Sequence, residues 1–379
     1  MIRILLVFGT RPEAIKMAPV VLALRRREGI ETIMCLTGQH RSMLDEALAA
    51  FNLRPDYDLA IMRPAQTLTD ITTDVMNKLT PLLAKLQPDR VIVHGDTTTT
   101  YAASIASFYL GIPVGHIEAG LRTGNLMAPW PEEFNRRSVD LVADLLWAPT
   151  EAAADNLRRE GAKPENIVVT GNTAVDAIAS VKARIEADTS FRETLWRGLP
   201  KLDPAKRLVL VTGHRRESFG EGMAEVCRAL NVLAARRDVE LVWPVHPNPN
   251  VLAAVREHLE AHDNVHLVEP IEYLGFTALM LRSHIIITDS GGIQEEAPTL
   301  AKPVLVTRNE TERPEAIEAG TAKLVGTSVE RIVFAATLLL DNDCAYRQMT
   351  ARKNPFGDGT AAVKIVDSLS ARHGTELPV

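Results

Sequence analysis

Cysteine is scarce in this chain: Cys35, Cys227 and Cys344 are the only three in 379 residues, far apart and without a C-x-x-C pair. That argues against a disulfide framework or a zinc knuckle and leaves the thiols as small buried apolar groups. A basic excess is also missing. Lys and Arg number 42 against 48 Asp and Glu, a formal net charge of −6, so small molecules and not nucleic acid are the expected partners. No long apolar run opens the chain: residues 4–8 are too short for a membrane span, and Gly-Thr-Arg-Pro follows at 9–12 where a signal peptide would continue. A cytoplasmic location without membrane contact is expected. Internal repeats and low-complexity tracts are lacking, and the first apolar run does not enter the G-x-G-x-x-G turn that a dinucleotide would want.

What is present is a βα alternation. At about 150 residues per domain, two domains are the default. Short apolar runs at 2–8, 32–36, 91–94, 113–117, 145–148 and 167–170 have helical stretches between them, and the theme repeats at 208–212, 241–245, 265–268, 285–288 and 303–307. Strands apolar at successive positions are buried on both faces, which means α/β architecture with parallel sheets. The division falls within 171–203. The expected plan is two doubly wound domains, 1–171 and 172–360, with 361–379 a helix packing back toward the first. The carboxyl ends of both sheets would then share a cleft for a ligand.

Within the run Thr-Asp-Ser-Gly-Gly-Ile-Gln-Glu-Glu at 288–296, a strand stops and a helix begins. Ser290, Gly291 and Gly292 offer close backbone approach and helix-start N–H groups to an anion, and Glu296 could accept hydrogen bonds from a ribose diol. The plainer alternative is a capping Ser290 with a dipole-matched Glu296. Arg11 and Lys16 flank another helix start, where the dipole repels cations unless a ligand of opposite charge or solvent compensates. Asp96 and Glu118 follow the third and fourth apolar runs, and Pro131 before Glu132 and Glu133 resembles a helix start whose acids are otherwise surface groups. His94 with Asp96, and His116 with Glu118, are spaced i, i+2 as metal ligands on a strand could be; sensitivity to a chelator would discriminate. His214, between Gly213 and Arg215 after a strand, is a functional candidate, and Arg313 could close over a diphosphate. Arg25, Arg26 and Arg27 read as a solvated helix end.

In order, Phe8-Gly-Thr-Arg-Pro-Glu-Ala-Ile-Lys16, His94-Gly-Asp-Thr-Thr-Thr-Thr100, His116-Ile-Glu-Ala-Gly-Leu-Arg122, Pro131-Glu-Glu-Phe-Asn-Arg136, Gly213-His-Arg-Arg-Glu217, Asp289-Ser-Gly-Gly-Ile-Gln-Glu-Glu-Ala-Pro298 and Thr311-Glu-Arg-Pro-Glu315 closely resemble the non-hydrolysing UDP-N-acetylglucosamine 2-epimerases. The resemblance spans almost the whole chain. It implies two Rossmann-like domains of the glycosyltransferase B type, a homodimer, and interconversion of UDP-GlcNAc with UDP-ManNAc for cell-surface polysaccharides. It places Arg11, Lys16, Asp96, Glu118 and His214 in the active cleft, Glu132 as a third catalytic carboxylate, and Phe276, Ser290, Gly291, Gly292, Glu296 and Arg313 around the UDP. Where some relatives carry Gln, this chain has Ile271; a side-chain readout of uracil would differ there, a backbone readout would not. Gln39, His40, Glu133, Arg215 and His246 match the region that takes a second, activating UDP-GlcNAc.

The implied route expels UDP from C1 while a proton leaves C2, giving a glycal, and re-adds UDP as a proton arrives on the other face. Acid–base groups and anion donors suffice, with no nicotinamide or metal cofactor. A hydrolysing epimerase releasing ManNAc and UDP, a glycosyltransferase of the same fold, and a non-catalytic UDP-sugar sensor are the rival readings.

Overall fold

The computed structural model describes residues 1–38, 41–215 and 219–372, with side chains in the helix Arg41–Ala50 from Leu44 onward. The chain forms two compact units, residues 1–177 with the described residues from Phe356 on, and residues 178–355. Each is a parallel sheet covered by helices.

In the first unit the strands are β1 (Ile2–Phe8), β2 (Ile30–Leu36), β3 (Tyr57–Asp58), β4 (Arg90–His94), β5 (Val114–Ile117), β6 (Leu145–Ala148) and β7 (Ile167–Val169), ordered β3-β2-β1-β4-β5-β6-β7 with every pairing parallel. The second unit contains β8 (Arg207–Thr212), β9 (Val239–Pro244), β10 (Val265–Val268), β11 (Ile285–Thr288), β12 (Val304–Val306) and β13 (Ala322–Leu324), ordered β10-β9-β8-β11-β12-β13, again parallel throughout. The central strands are the apolar runs of the sequence, since burial on both faces selects such runs. Two short edge strands, β3 and β13, were not anticipated. Each has two or three residues and carries no apolar run to signal it.

Each unit has its own core. Trp147 in β6 is fully buried, and a Cβ added at Gly115 of the neighbouring β5 would meet its ring at 2.5 Å, so glycine is what admits the indole. Trp243 occupies the corresponding core of the second unit.

The units divide at 177/178, inside the interval 171–203 read from the sequence, and at 355/356. Hydrogen bonds account for these limits. The Asn172 N–H donates to the Phe356 carbonyl at 2.7 Å, and the Asp176 carboxylate accepts the first N–H groups of the helix Ala361–Arg372, from Ala361 at 3.2 Å and Ala362 at 2.8 Å. The same helix is fastened to the first unit through Trp147 Nε1, which donates to Ser368 Oγ at 2.7 Å, and through an Arg27–Asp367 ion pair. Arg27 is therefore a docking contact and not a freely solvated helix end. Among the described residues, no helix is long and apolar enough to cross a membrane.

Candidate active site

Strand order locates the ligand edges. β1 lies between β2 and β4, so the chain leaves its carboxyl end in one direction and later returns on the other side, and a doubly wound sheet opens its crevice at such a switch point. The turns there, with the helix starts that follow them, span 9–16 and 95–100. In the second unit the switch lies between β8 and β11, whose outgoing turns hold Gly213–His214 and Asp289–Gly292.

The first loop is built by a capping box: Thr10 is the N-cap of Arg11–Arg25, with Pro12 in its first turn and Glu13 as the reciprocal partner. Glu13, 3% exposed, does more than cap. One oxygen accepts N–H bonds from Gly9 at 2.9 Å and Thr10 at 2.7 Å; the other accepts the Thr97 hydroxyl at 2.6 Å. Thr97 in turn caps the helix Thr98–Tyr109. One buried carboxylate thus joins the turn carrying Arg11 and Lys16 to the turn carrying Asp96. The sequence reading missed Glu13, although Thr10-x-x-Glu13 is the signal that could have found it.

Asp96, Glu118 and Glu132 come together around this edge. Burial raises Asp96 above its ordinary carboxylate value; the charge of Arg136 opposes this, those of Glu118 and Glu132 push the same way, and that of Lys16 opposes. Arg136 Nη2 donates to Asp96 Oδ2 at 2.5 Å, and Asn135 Nδ2 holds the Asp96 carbonyl at 2.9 Å. Glu118 has φ +68, the left-handed region that a residue with a side chain adopts only when its surroundings over-determine it. Its carboxylate pairs with Lys16 and lies 3.7 Å from His94 Nε2 and 3.4 Å from Asn172 Nδ2. Lys16 is therefore not left to solvent. Glu132 opens the helix Glu132–Val142.

Glu133 is not the surface acid suggested by its place in a first turn. It is fully buried and accepts N–H bonds from Thr123 at 3.1 Å and Gly124 at 3.2 Å, which fixes the preceding loop. The i, i+2 metal pairs are not formed. Gly95, with φ +68, intervenes between His94 and Asp96, Glu118 has left the strand, and both ring nitrogens of His116 are engaged, with Asp140 Oδ1 at 2.6 Å and the Gly95 carbonyl at 2.7 Å.

In the second unit, Asp289 organises His214. Its Oδ2 accepts the N–H groups of His214 and Arg215, both at 2.7 Å, while Oδ1 lies 3.1 Å from His214 Nδ1. Burial alone would raise Asp289, but its hydrogen bond and charge contact with His214, together with the N–H groups, hold it below the usual range. Asp289 was visible in the motif but was not singled out. The His214 ring stacks on His246 with centroids 5.8 Å apart, and burial and the charge of His214 lower His246.

Ser290 occupies the N-cap position of Gly291–Glu296 without making a side-chain cap, so the capping alternative is not realised; its N–H donates to Thr288 Oγ1 at 2.9 Å. A Cβ at Gly291 would lie 3.9 Å from the Arg215 guanidinium, which places Arg215 beside this turn. Arg313 Nε donates to the buried Glu295 at 2.5 Å, and Thr311 Oγ1 to Gln294 at 2.7 Å, so residues 311–313 are pinned to the helix after the turn. The Tyr273 hydroxyl reaches Glu296 Oε1 at 3.4 Å, and Ile271 packs by Gly275 on the same stretch as the half-buried Phe276. Gln39 and His40 lie outside the described residues.

The sequence family described as UDP-N-acetylglucosamine 2-epimerase matches residues 22–370. The chain belongs to the UDP-N-acetylglucosamine 2-epimerase family. It is 52% identical over 370 residues to a probable UDP-N-acetylglucosamine 2-epimerase of Ralstonia nicotianae, covering 97% of this chain and 99% of that one. With the UDP-N-acetylglucosamine 2-epimerase of Escherichia coli strain K12 it shares 51% over 368 residues, covering 97% and 98%. The crystal structure of the Neisseria meningitidis UDP-GlcNAc 2-epimerase bound to UDP-GlcNAc superposes with a TM-score of 0.91 at 47% identity, over 98% of this chain and 100% of that one. The epimerase fold of this chain is accordingly two Rossmann-like units of the glycosyltransferase B type.

Proposed function

We propose that this chain interconverts UDP-GlcNAc and UDP-ManNAc without net hydrolysis, in the cytoplasm, as a supplier of cell-surface polysaccharide synthesis. The observation that carries the chemistry is the grouping of Asp96, Glu118 and Glu132, with Asp96 raised by burial toward the range where a carboxyl both gives and takes protons. The C1–O bond to UDP breaks with its electron pair leaving on the diphosphate, while a carboxylate takes the C2 proton and the C1=C2 bond of a glycal forms. Re-addition of UDP at C1 with protonation of C2 on the other face completes the inversion. Arg11, His214, Arg313 and the amides of Ser290, Gly291 and Gly292 hold the departing diphosphate. Glu296 takes the ribose diol, with Phe276 and Ile271 near the base.

A second UDP-GlcNAc as activator would meet Arg215 and His246, which adjoin His214, and further Gln39 and His40, with Glu133 acting through the loop whose amides it holds. The exposed apolar residues Phe108, Tyr109, Phe134 and Leu141 on the helices Thr98–Tyr109 and Glu132–Val142 support a homodimer.

Proton NMR of UDP-GlcNAc with the protein in heavy water, without nicotinamide or metal, is expected to show UDP-ManNAc carrying deuterium at C2. Free ManNAc and UDP would establish the hydrolysing branch instead, and an unchanged spectrum would leave a sensor or transferase. Asp289→Asn turns an amide toward His214 Nδ1 and removes the carboxylate that orients the ring; kcat/KM is expected to fall on the order of 10²-fold. Steady-state kinetics within a factor of two of wild type would remove Asp289 from the site.

A further inference from the structure

The three carboxylates stand on three separate elements: Asp96 in the turn after β4, Glu118 in the turn after β5, and Glu132 at the head of Glu132–Val142. One buried pair touches all three elements. His116, in β5 and fully buried, has Nδ1 2.6 Å from Asp140 Oδ1 on that helix and Nε2 2.7 Å from the carbonyl of Gly95, the residue immediately before Asp96. Asp140 Oδ2 accepts the Gly120 N–H at 3.1 Å and Arg122 Nη2 at 2.8 Å. Glu118 is thereby bracketed. The residues two before and two after it, His116 and Gly120, are both anchored on one carboxylate, which is the over-determination that its left-handed φ of +68 requires.

We propose that His116 and Asp140 are positioning residues of the epimerase that hold Asp96, Glu118 and Glu132 in register around C2. The proposal rests on those carboxylates being the proton-transfer groups. Neither His116 nor Asp140 reaches the substrate in this role; they act through Gly95, Gly120 and the helix. Both ring nitrogens are engaged, one by a carbonyl that can only accept and the other by a carboxylate. Burial pushes Asp140 up, but the charge and hydrogen bond of His116 and then those of Arg122 outweigh it and keep the carboxyl below its ordinary value.

Asp140→Asn keeps the shape of the side chain and its acceptor for Gly120 and Arg122, but presents an amide to His116. The expected result is a loss of kcat on the order of 10²-fold, with KM for UDP-GlcNAc within twofold, because neither His116 nor Asp140 bonds to a group assigned to the UDP. A purely structural pair would lower thermal stability and leave kcat alone, as truncation of the core residue Leu79 to Ala should. Folded Asp140→Asn with kcat within twofold of wild type overturns the proposal. Should that variant not fold, nitrogen-15 NMR of wild-type histidines decides. A histidine ring N–H protected from exchange is expected, and the absence of any such signal overturns it. Normal turnover by Asp96→Asn and Glu118→Gln would instead sink the assignment of the acids, and the NMR result would still report on the pair.

Discussion

Asp96→Asn is expected to lower kcat by about 10²- to 10⁴-fold, the usual worth of a positioned general acid or base, while UDP binding changes little. The substitution is nearly isosteric, so its effect isolates the proton. Burial, with Glu118 and Glu132 adding to it, raises this carboxyl and brings it nearer the pH at which it can work in both directions. An amide in the same place cannot accept the C2 proton. It also removes one of the two carboxylates beside Arg136, whose guanidinium pairs with Asp96 at 2.5 Å and lies 3.6 Å from Glu133. Some loss of stability should therefore accompany the loss of rate, and thermal denaturation run beside the kinetics separates the two. Turnover within tenfold of wild type in a folded variant would rule Asp96 out of the chemistry.

Gly120→Ala is expected to be the most damaging single-methyl change near the site. Gly120 has φ +86, and a Cβ there would lie 2.2 Å from the carbonyl oxygen of Ala153, 2.8 Å from its carbon and 2.9 Å from Leu157 Cγ, all on the helix Glu151–Arg159. The first two atoms are backbone and cannot rotate away. Positive φ alone costs a side-chain-bearing residue on the order of 1 kcal/mol, and forced displacement of a packed helix adds roughly 1–3 kcal/mol. A loss of about 3 kcal/mol would lower the melting point of the first unit by roughly 6–12 °C. Gly111 is the control, because its φ is +67 but a Cβ would meet nothing within 4 Å; Gly111→Ala should cost only the backbone part. Equal melting points for the two variants would show that the turn after β5 does not press on that helix. The catalytic consequence follows from position: Gly120 binds Asp140 two residues past Glu118, so a displaced Gly120 should also disturb Glu118.

Much of the fold was legible because its signals are local. Apolar runs such as residues 285–288 and 91–94 are buried on both faces, so they read as parallel strands wherever they occur. β3 and β13 carry no such signal, because an edge strand of two or three residues exists only by pairing with a neighbour already in place. The residue at which the units part was not legible, because Asn172 and Asp176 bond to residues 356–362, contacts no local pattern announces.

The site divides in the same way. Arg11, Lys16, Asp96, Glu118, His214 and the Ser290-Gly291-Gly292 turn were candidates from the chain, because residues after strands are delivered to one edge of a doubly wound sheet, and Glu132 was a candidate through the family resemblance. What each side chain meets there could not. Lys16 could face solvent or a ligand as far as the chain alone shows, and its pairing with Glu118, 102 residues away, appears only in the fold. Glu133 read as a surface acid and is fully buried against the amides of Thr123 and Gly124. His214 looked solitary, yet Asp289, 75 residues further on, is its partner. The sequence by itself determined the layered α/β plan, the edge at which chemistry can occur and the kinds of groups brought to it, since periodicity, turn glycines and helix starts are settled by near neighbours in the chain. Only the tertiary structure decided which acid is buried, which cation it meets and which histidine nitrogens are occupied, because protonation and orientation depend on the few ångströms around a group, and folding fills that space with residues from distant parts of the chain.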